Sequence, residues 1–225
     1  MVYADRFDAV LFDLDGTLIE TAPDLCGALN HTLAKAGRKG VELGQVRQMI
    51  GDGARVMLRL GLEATGRAPD DDEIEQWFSA LLDYYWNHVA DESFAFPGVR
   101  PALDRLRAAG LKLAVCTNKP HRLSNHLFEQ LKMSHYFDAV LGGDSLPVRK
   151  PNADHVLGTL EAIGVASDRA VMVGDSANDL NVARNAGIPV ILVTFGYTTV
   201  PVQDLGADAL IDHFDQLLPA LDKLA

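Results

Sequence analysis

Along this chain, short runs of consecutive apolar residues alternate with longer stretches whose apolar positions recur three or four apart. Runs at Ala9–Phe12, Leu111–Cys116, Asp138–Leu141, Ala170–Val173, Pro189–Val193 and Ala209–Ile211 have the length and composition of strands buried on both faces. Between them the spacing predicts helices over Val99–Ala109, from Pro120 to Leu131, over Asn152–Ile163, from the Gly174 turn to Ala186, and over Phe214–Leu224. Gly110 and Gly187 stand where glycines end helices. Strands and helices alternating at these lengths imply right-handed parallel crossovers and a doubly wound α/β sheet.

Residues 19–93 follow another pattern. Ala22–Ala36 and Asp52–Thr65 read as helices, the second with Val56, Met57 and Leu60 turned inward. A longer helix follows Asp70–Asp72, whose charge suits a helix N-terminus. In it Ile74, Trp77, Phe78, Leu81, Leu82, Tyr85 and Val89 recur at helical spacing, the stripe of a helix-bundle core rather than of a cofactor box. No strand is evident between Glu20 and Ser93. The chain therefore divides into a core, 1–18 and 94–225, and a small helical cap, 19–93, inserted after the first strand.

Composition narrows the function. A net charge of −11 over 225 residues argues against nucleic-acid or anionic-membrane partners, which favour basic surfaces. An anionic ligand would need local positive groups. Cys26 and Cys116 are the only cysteines, so neither a disulfide framework nor a zinc site is supported. Cys116 lies in an apolar run and reads as a small buried hydrophobe. Asp5, Arg6 and Asp8 interrupt any signal peptide, and no apolar run could span a bilayer. The expectation is a soluble cytoplasmic protein.

The candidate chemistry sits where strands end. Asp13 and Asp15 follow the first apolar run and precede Gly16 and Thr17. Ligands of open α/β sheets bind at the carboxyl ends of strands, and alternate residues of an extended chain can face one pocket. The ordinary reading is a polar turn. A calcium loop fits poorly, because Leu18 falls where its glycine is needed and Asp24 where its glutamate is needed. A carboxylate nucleophile beside a metal ion is the third reading. Thr117-Asn118 also follows a strand run, as does Gly174-Asp175-Ser176 at a helix start, where anions are favoured. Lys150 precedes a proline and a helix start. Each cluster alone could be a turn, a cap or a surface charge; four of them at the functional edge of one sheet is a coincidence that a shared site explains.

In this order the clusters resemble the haloacid dehalogenase superfamily: Asp-x-Asp-Gly-Thr at 13–17, then Thr117, Lys150, and Gly-Asp-x-x-x-Asp at 174–179. The likeness covers essentially the whole chain and implies a Rossmann-like core with a helical cap. It further implies that Asp13 is a nucleophile forming an aspartyl-phosphate and that Asp15 is the general acid and base. Mg²⁺ would be held by Asp13, the backbone carbonyl of Asp15, and Asp175. Thr117, Asn118 and Lys150 would grip the phosphoryl oxygens, with Asp179 in support. The second carboxylate, Asp15, points to phosphoryl transfer, because dehalogenase members lack it: a halide leaves without a proton. Relatives usually carry a second proline three residues after the lysine, where this chain has Ala153; this removes a turn restraint and little of the chemistry.

Five segments, at 21–25, 50–55, 96–99, 117–120 and 142–147, resemble the bacterial phosphoglycolate-phosphatase branch. That likeness implies a small phosphorylated substrate, 2-phosphoglycolate first, and a monomer or homodimer. Another phosphomonoester, a sugar phosphate, or a phosphosugar mutase reaction is the alternative, and a non-catalytic acidic binding module the rival from another class. In related caps the loop corresponding to Gly51-Asp52-Gly53 selects the substrate. Its one cation, Arg55, is the candidate for reading a substrate carboxylate beside Gly51 and Gly53, set against an ordinary surface helix position.

Overall fold

A computed structural model describes residues 2–225. The chain opens with α1 (Tyr3–Arg6), β1 (Ala9–Phe12) and β2 (Ile19–Glu20). Four helices follow, α2 (Ala22–Lys35), α3 (Leu43–Arg47), α4 (Ala54–Thr65) and α5 (Asp71–Asn87), and then β3 (Phe94–Ala95). The remainder alternates: α6 (Val99–Ala108), β4 (Lys112–Cys116), α7 (His121–Gln130), β5 (Ala139–Leu141), α8 (Ala153–Ile163), β6 (Ala170–Gly174), α9 (Ala177–Ala186), β7 (Val190–Val193), β8 (Ala209–Ile211) and α10 (Leu217–Leu224).

Six strands form one sheet in the order β5-β4-β1-β6-β7-β8, every neighbouring pair parallel. Val10, Phe12, Val115 and Val173 belong to the core on one face, with Leu103 and Leu106 of α6 and Leu221 of α10. Leu11, Ala114, Cys116 and Met172 belong to the other, with Val156 and Leu160 of α8 and Val182 of α9. Burial on both faces explains why these strands read as unbroken apolar runs. β1 lies at the middle, and strand order reverses across it: the chain builds outward through β4 and β5, then returns to β6 on the opposite flank. A crevice forms at such a switch point.

Helices α2–α5 lie between β2 and β3, which pair antiparallel with Glu20 opposite Phe94. The sequence pattern missed this ribbon because two-residue strands carry no periodicity. It missed α1 and α3, of four and five residues, for the same reason. The buried carboxylate of Asp24 clasps the far side of the neck, accepting from the amides of Glu92 and Ser93 and, at 2.6 Å, from the Ser93 hydroxyl. On α4 the buried residues are Met57, Leu58, Gly61 and Leu62, whereas Val56 and Leu60 are half-buried. Gly61 sets this phase: a β-carbon there would stand 2.7 Å from Leu29 of α2, so the helices meet at a residue that apolar periodicity does not count.

Candidate active site

β1, β4 and β6 end side by side, and each is followed at the same edge by a buried polar residue: Asp13, Thr117 and Asp175. Lys150 enters from the loop before α8, and Asp179 from the first turn of α9. One Asp179 oxygen accepts from the Asp175 and Ser176 amides and the Ser176 hydroxyl. Its other oxygen accepts from Lys150 Nζ at 2.7 Å. That Nζ also lies 2.8 Å from Asp13 Oδ1. This is a charge contact off hydrogen-bonding geometry, for Asp13 Oδ1 is buried without a donor.

Three buried carboxylates thus face one ammonium. Asp13, Asp175 and Asp179 each present an oxygen, all within 4.8 Å of one another. Burial, more than the compensating Lys150 charge, pushes the Asp13 carboxyl up to about 6. Burial and the neighbouring Asp179 and Asp13 push Asp175 well above the carboxylate range. Burial works to lower Lys150, yet Asp13 and Asp179 outweigh it and hold the ammonium above its ordinary value. A buried, oxygen-only, over-negative donor set with an undonated Asp13 oxygen fits a hard divalent cation. Gly16, at φ +82°, brings backbone against this cluster where a β-carbon would come within 2.5 Å of Asp175 Oδ2.

Asp15 lines the same cleft, but its carboxylate lies outside the acid cluster, accepting from Thr21 Oγ1 at 2.7 Å and from Lys119. Asn118 uses its side-chain amide to tie the Gly51 carbonyl (3.1 Å) to that of Lys150 (3.3 Å), while its Oδ1 is buried without a partner. The cap loop therefore docks on the core loops: Asn178 also donates to Asp52 at 2.9 Å. Gly53, at φ +91°, takes the left-handed backbone conformation that this loop needs as it passes the Asn118 carbonyl.

The haloacid dehalogenase-like hydrolase family pattern matches residues 10–193, most of the chain. The chain belongs to this family. A phosphoglycolate phosphatase of Caulobacter vibrioides is 47% identical over 205 residues, 91% of this hydrolase and 86% of that protein. A solved Haemophilus somnus structure, described as a predicted phosphoglycolate phosphatase, is 30% identical with a TM-score of 0.91, covering 95% of this chain and 97% of that one. A mutant of CbbY from Rhodobacter sphaeroides, solved with xylulose-(1,5)bisphosphate, is 28% identical with a TM-score of 0.79 over 96% and 99% of the two chains.

Not every sequence candidate reaches the cleft of the hydrolase. Gly51 and Gly53 line it. Arg55 does not: it is paired with Glu75 and lies 4.4 Å over the Phe78 ring, on an exposed face between α4 and α5. Its place as the second residue of α4 directs it to α5, the ordinary surface position weighed against the substrate role. Three other residues carried no assigned role in the sequence. Lys119 sits beside Asp15, and its signal was available: a second lysine at a strand end in an acidic chain. Tyr85 of α5, counted as bundle core, turns its hydroxyl to Lys119 at 2.7 Å. Tyr197 had no signal. Its amide donates to Asp175 Oδ2 at 2.6 Å, while its hydroxyl accepts from the Thr21 and Ala22 amides at the start of α2. Cys116 is fully buried, its thiol pushed up to about 12 by burial, and takes no part. Among the described residues no helix is long and apolar enough to cross a membrane.

Proposed function

We propose that this hydrolase is a Mg²⁺-dependent phosphomonoesterase that turns 2-phosphoglycolate into glycolate and phosphate through an aspartyl-phosphate on Asp13. One observation carries the reading: Asp13, at the switch point of the sheet, is buried between Lys150 and a carboxylate cluster too negative to be balanced by that lysine alone. Asp13, Asp175 and the backbone carbonyl of Asp15 would hold Mg²⁺. The ion would neutralise those carboxylates and the phosphoryl oxygens so that an anionic ester can approach.

The chain's own groups do the rest. An Asp13 oxygen attacks phosphorus as the bond to the substrate oxygen breaks, and Asp15 gives that oxygen its proton. Water then attacks the acyl phosphate, losing its proton to Asp15, and phosphate leaves with Asp13 restored. Lys150, held by Asp179, and the Thr117 hydroxyl steady the phosphoryl charge. Residues 19–93 act as a cap that closes the cleft and excludes water, and residues 1–18 and 94–225 carry the chemistry.

The cleft is partly open to solvent, and its cap side is lined by Leu25, Ile50, Ala54 and Met57. Such a wall suits a short substrate and offers little to the hydroxyls of a sugar. The likeness to CbbY favours a sugar phosphate as the second reading. Phosphate release from purified protein over 2-phosphoglycolate, sugar phosphates and p-nitrophenyl phosphate decides between them. The highest kcat/KM is expected on phosphoglycolate, and preference for a sugar phosphate would overturn the substrate. No turnover of any ester that EDTA removes and Mg²⁺ restores would leave only an acidic binding module.

Mg²⁺ should also raise the melting temperature, and more at pH 7.5 than at pH 5. Asp13 and Asp175 hold their protons more tightly in the folded state, so protons compete with the cation as pH falls through about 6. Equal thermal shifts at both pH values would remove these carboxylates as ligands.

A further inference from the structure

Lys119 is a buried ammonium that the phosphoryl chemistry does not use. Its side chain is 3% exposed, two residues past Thr117 on the loop after β4. Asp15 Oδ1 lies 3.1 Å from its Nζ and the Tyr85 hydroxyl 2.7 Å away. The Tyr85 ring sits beneath the charge at 4.5 Å. Burial holds the Tyr85 phenol well above its ordinary value, so it stays neutral. Asp15 engages the three-donor ammonium through both oxygens, the second at a long 3.4 Å, and Tyr85 through its hydroxyl, so a ligand carboxylate would take over the longer of the two Asp15 contacts.

Charge balance separates the two lysines. Lys150 is matched by two carboxylates, Asp13 and Asp179, whereas Lys119 faces one. Among the residues lining the cleft Lys119 is also the sole cation, and Arg55 is engaged by Glu75 outside it. Around it Leu25, Met57 and Leu123 form an apolar wall, against which an unmatched anion is costly and a matched one strongly held.

We propose that Lys119 is the specificity-determining residue that binds the non-reacting carboxylate of a short phosphorylated acid, with Tyr85 of the cap as the positioning residue that holds it. The assignment rests on the proposed phosphatase reading and names the part of the site that selects the acid. Because Tyr85 comes from α5 and Lys119 from the core, the carboxylate is read only where cap and core meet.

The test is a substrate cycle with 2-phosphoglycolate and 2-hydroxyethyl phosphate, which replaces the carboxylate by a hydroxymethyl group. The readout is the ratio of their kcat/KM values in wild type and in Lys119→Met, Tyr85→Phe and Arg55→Ala. Lys119 also touches Asp15, so Lys119→Met is expected to slow both substrates. The ratio should nevertheless collapse by about 10- to 100-fold, mostly through KM for phosphoglycolate, which is the worth of one charge-assisted contact. Tyr85→Phe should shift the ratio in the same direction by a smaller factor, and Arg55→Ala should leave it unchanged. A high wild-type ratio that survives Lys119→Met overturns the assignment while leaving the phosphatase reading intact. A wild-type ratio near one overturns the assignment and the phosphoglycolate reading together. Should Lys119→Met not fold, Tyr85→Phe decides alone: a wild-type ratio in that variant rejects the role.

Discussion

Asp13→Asn is expected to abolish turnover of every phosphomonoester while raising the melting temperature of the metal-free protein. The first half follows from chemistry, since an amide is a poor nucleophile and a weaker ligand for a cation. The second follows from the electrostatics of the site. Asp13 titrates near 6 in the folded chain because burial opposes its charge, against about 4 in an unfolded one. The folded state therefore holds this proton more tightly than the unfolded state. Its contribution is fully present below about pH 4, is lost as pH climbs through 6, and is absent at pH 8. A neutral amide escapes that loss, so the gain should be clear at pH 8 and shrink toward pH 4. Thermal unfolding at the two pH values and a crystal soaked with beryllium fluoride check both halves. A trapped group on any residue other than Asp13, or an unchanged melting temperature at pH 8, would contradict the assignment.

Lys150→Ala should do opposite things to stability and similar things to rate. Among the described residues its ammonium is the one cation in contact with Asp13 and Asp179, so kcat/KM should fall by on the order of 10²–10³ or more, the worth of a preorganised charge at a transition state. From sequence alone a partly exposed lysine would cost little stability when removed. In the structure Lys150 is 3% exposed, and its loss strands like charges in the interior. Removing one member of a buried pair costs about 3–5 kcal/mol, a drop of about 6 °C or more in a chain of this size. Mg²⁺ should recover part of that loss, because it supplies the missing positive charge. Near-normal kinetics with an unshifted melting temperature would return Lys150 to the status of an ordinary surface lysine.

Much of this was legible in the sequence for a physical reason. Strands buried on both faces must be continuous apolar runs, and a residue needed at the functional edge must come directly after one, as Asp13, Thr117 and Asp175 do. What sequence could not reveal is which way side chains point once helices pack. Arg55 and Tyr85 lie on cap helices with equal claim to the cleft. Packing of α4 on α5 sends Arg55 to Glu75, and the register of α5 sends Tyr85 inward to Lys119. Tyr197 lay further out of reach, because its role runs through a backbone amide, which every residue but proline possesses. The neck of the cap was missed because two-residue strands leave no period to detect.

That neck has a consequence for how the molecule can vary. Glu20 and Phe94 are ladder partners, and Asp24 bolts the exit of the insertion to its entrance. Seen from the sheet, everything between them is one long hairpin loop whose two feet stand a single strand spacing apart. Lengthening a loop between fixed feet costs only about 0.6 kcal/mol per doubling, and the register of β1 against β4 and β6 does not depend on what the loop contains. The insertion can therefore be rebuilt or exchanged as a cassette, with selection of substrate drifting while the strand ends that break the ester bond stay in place.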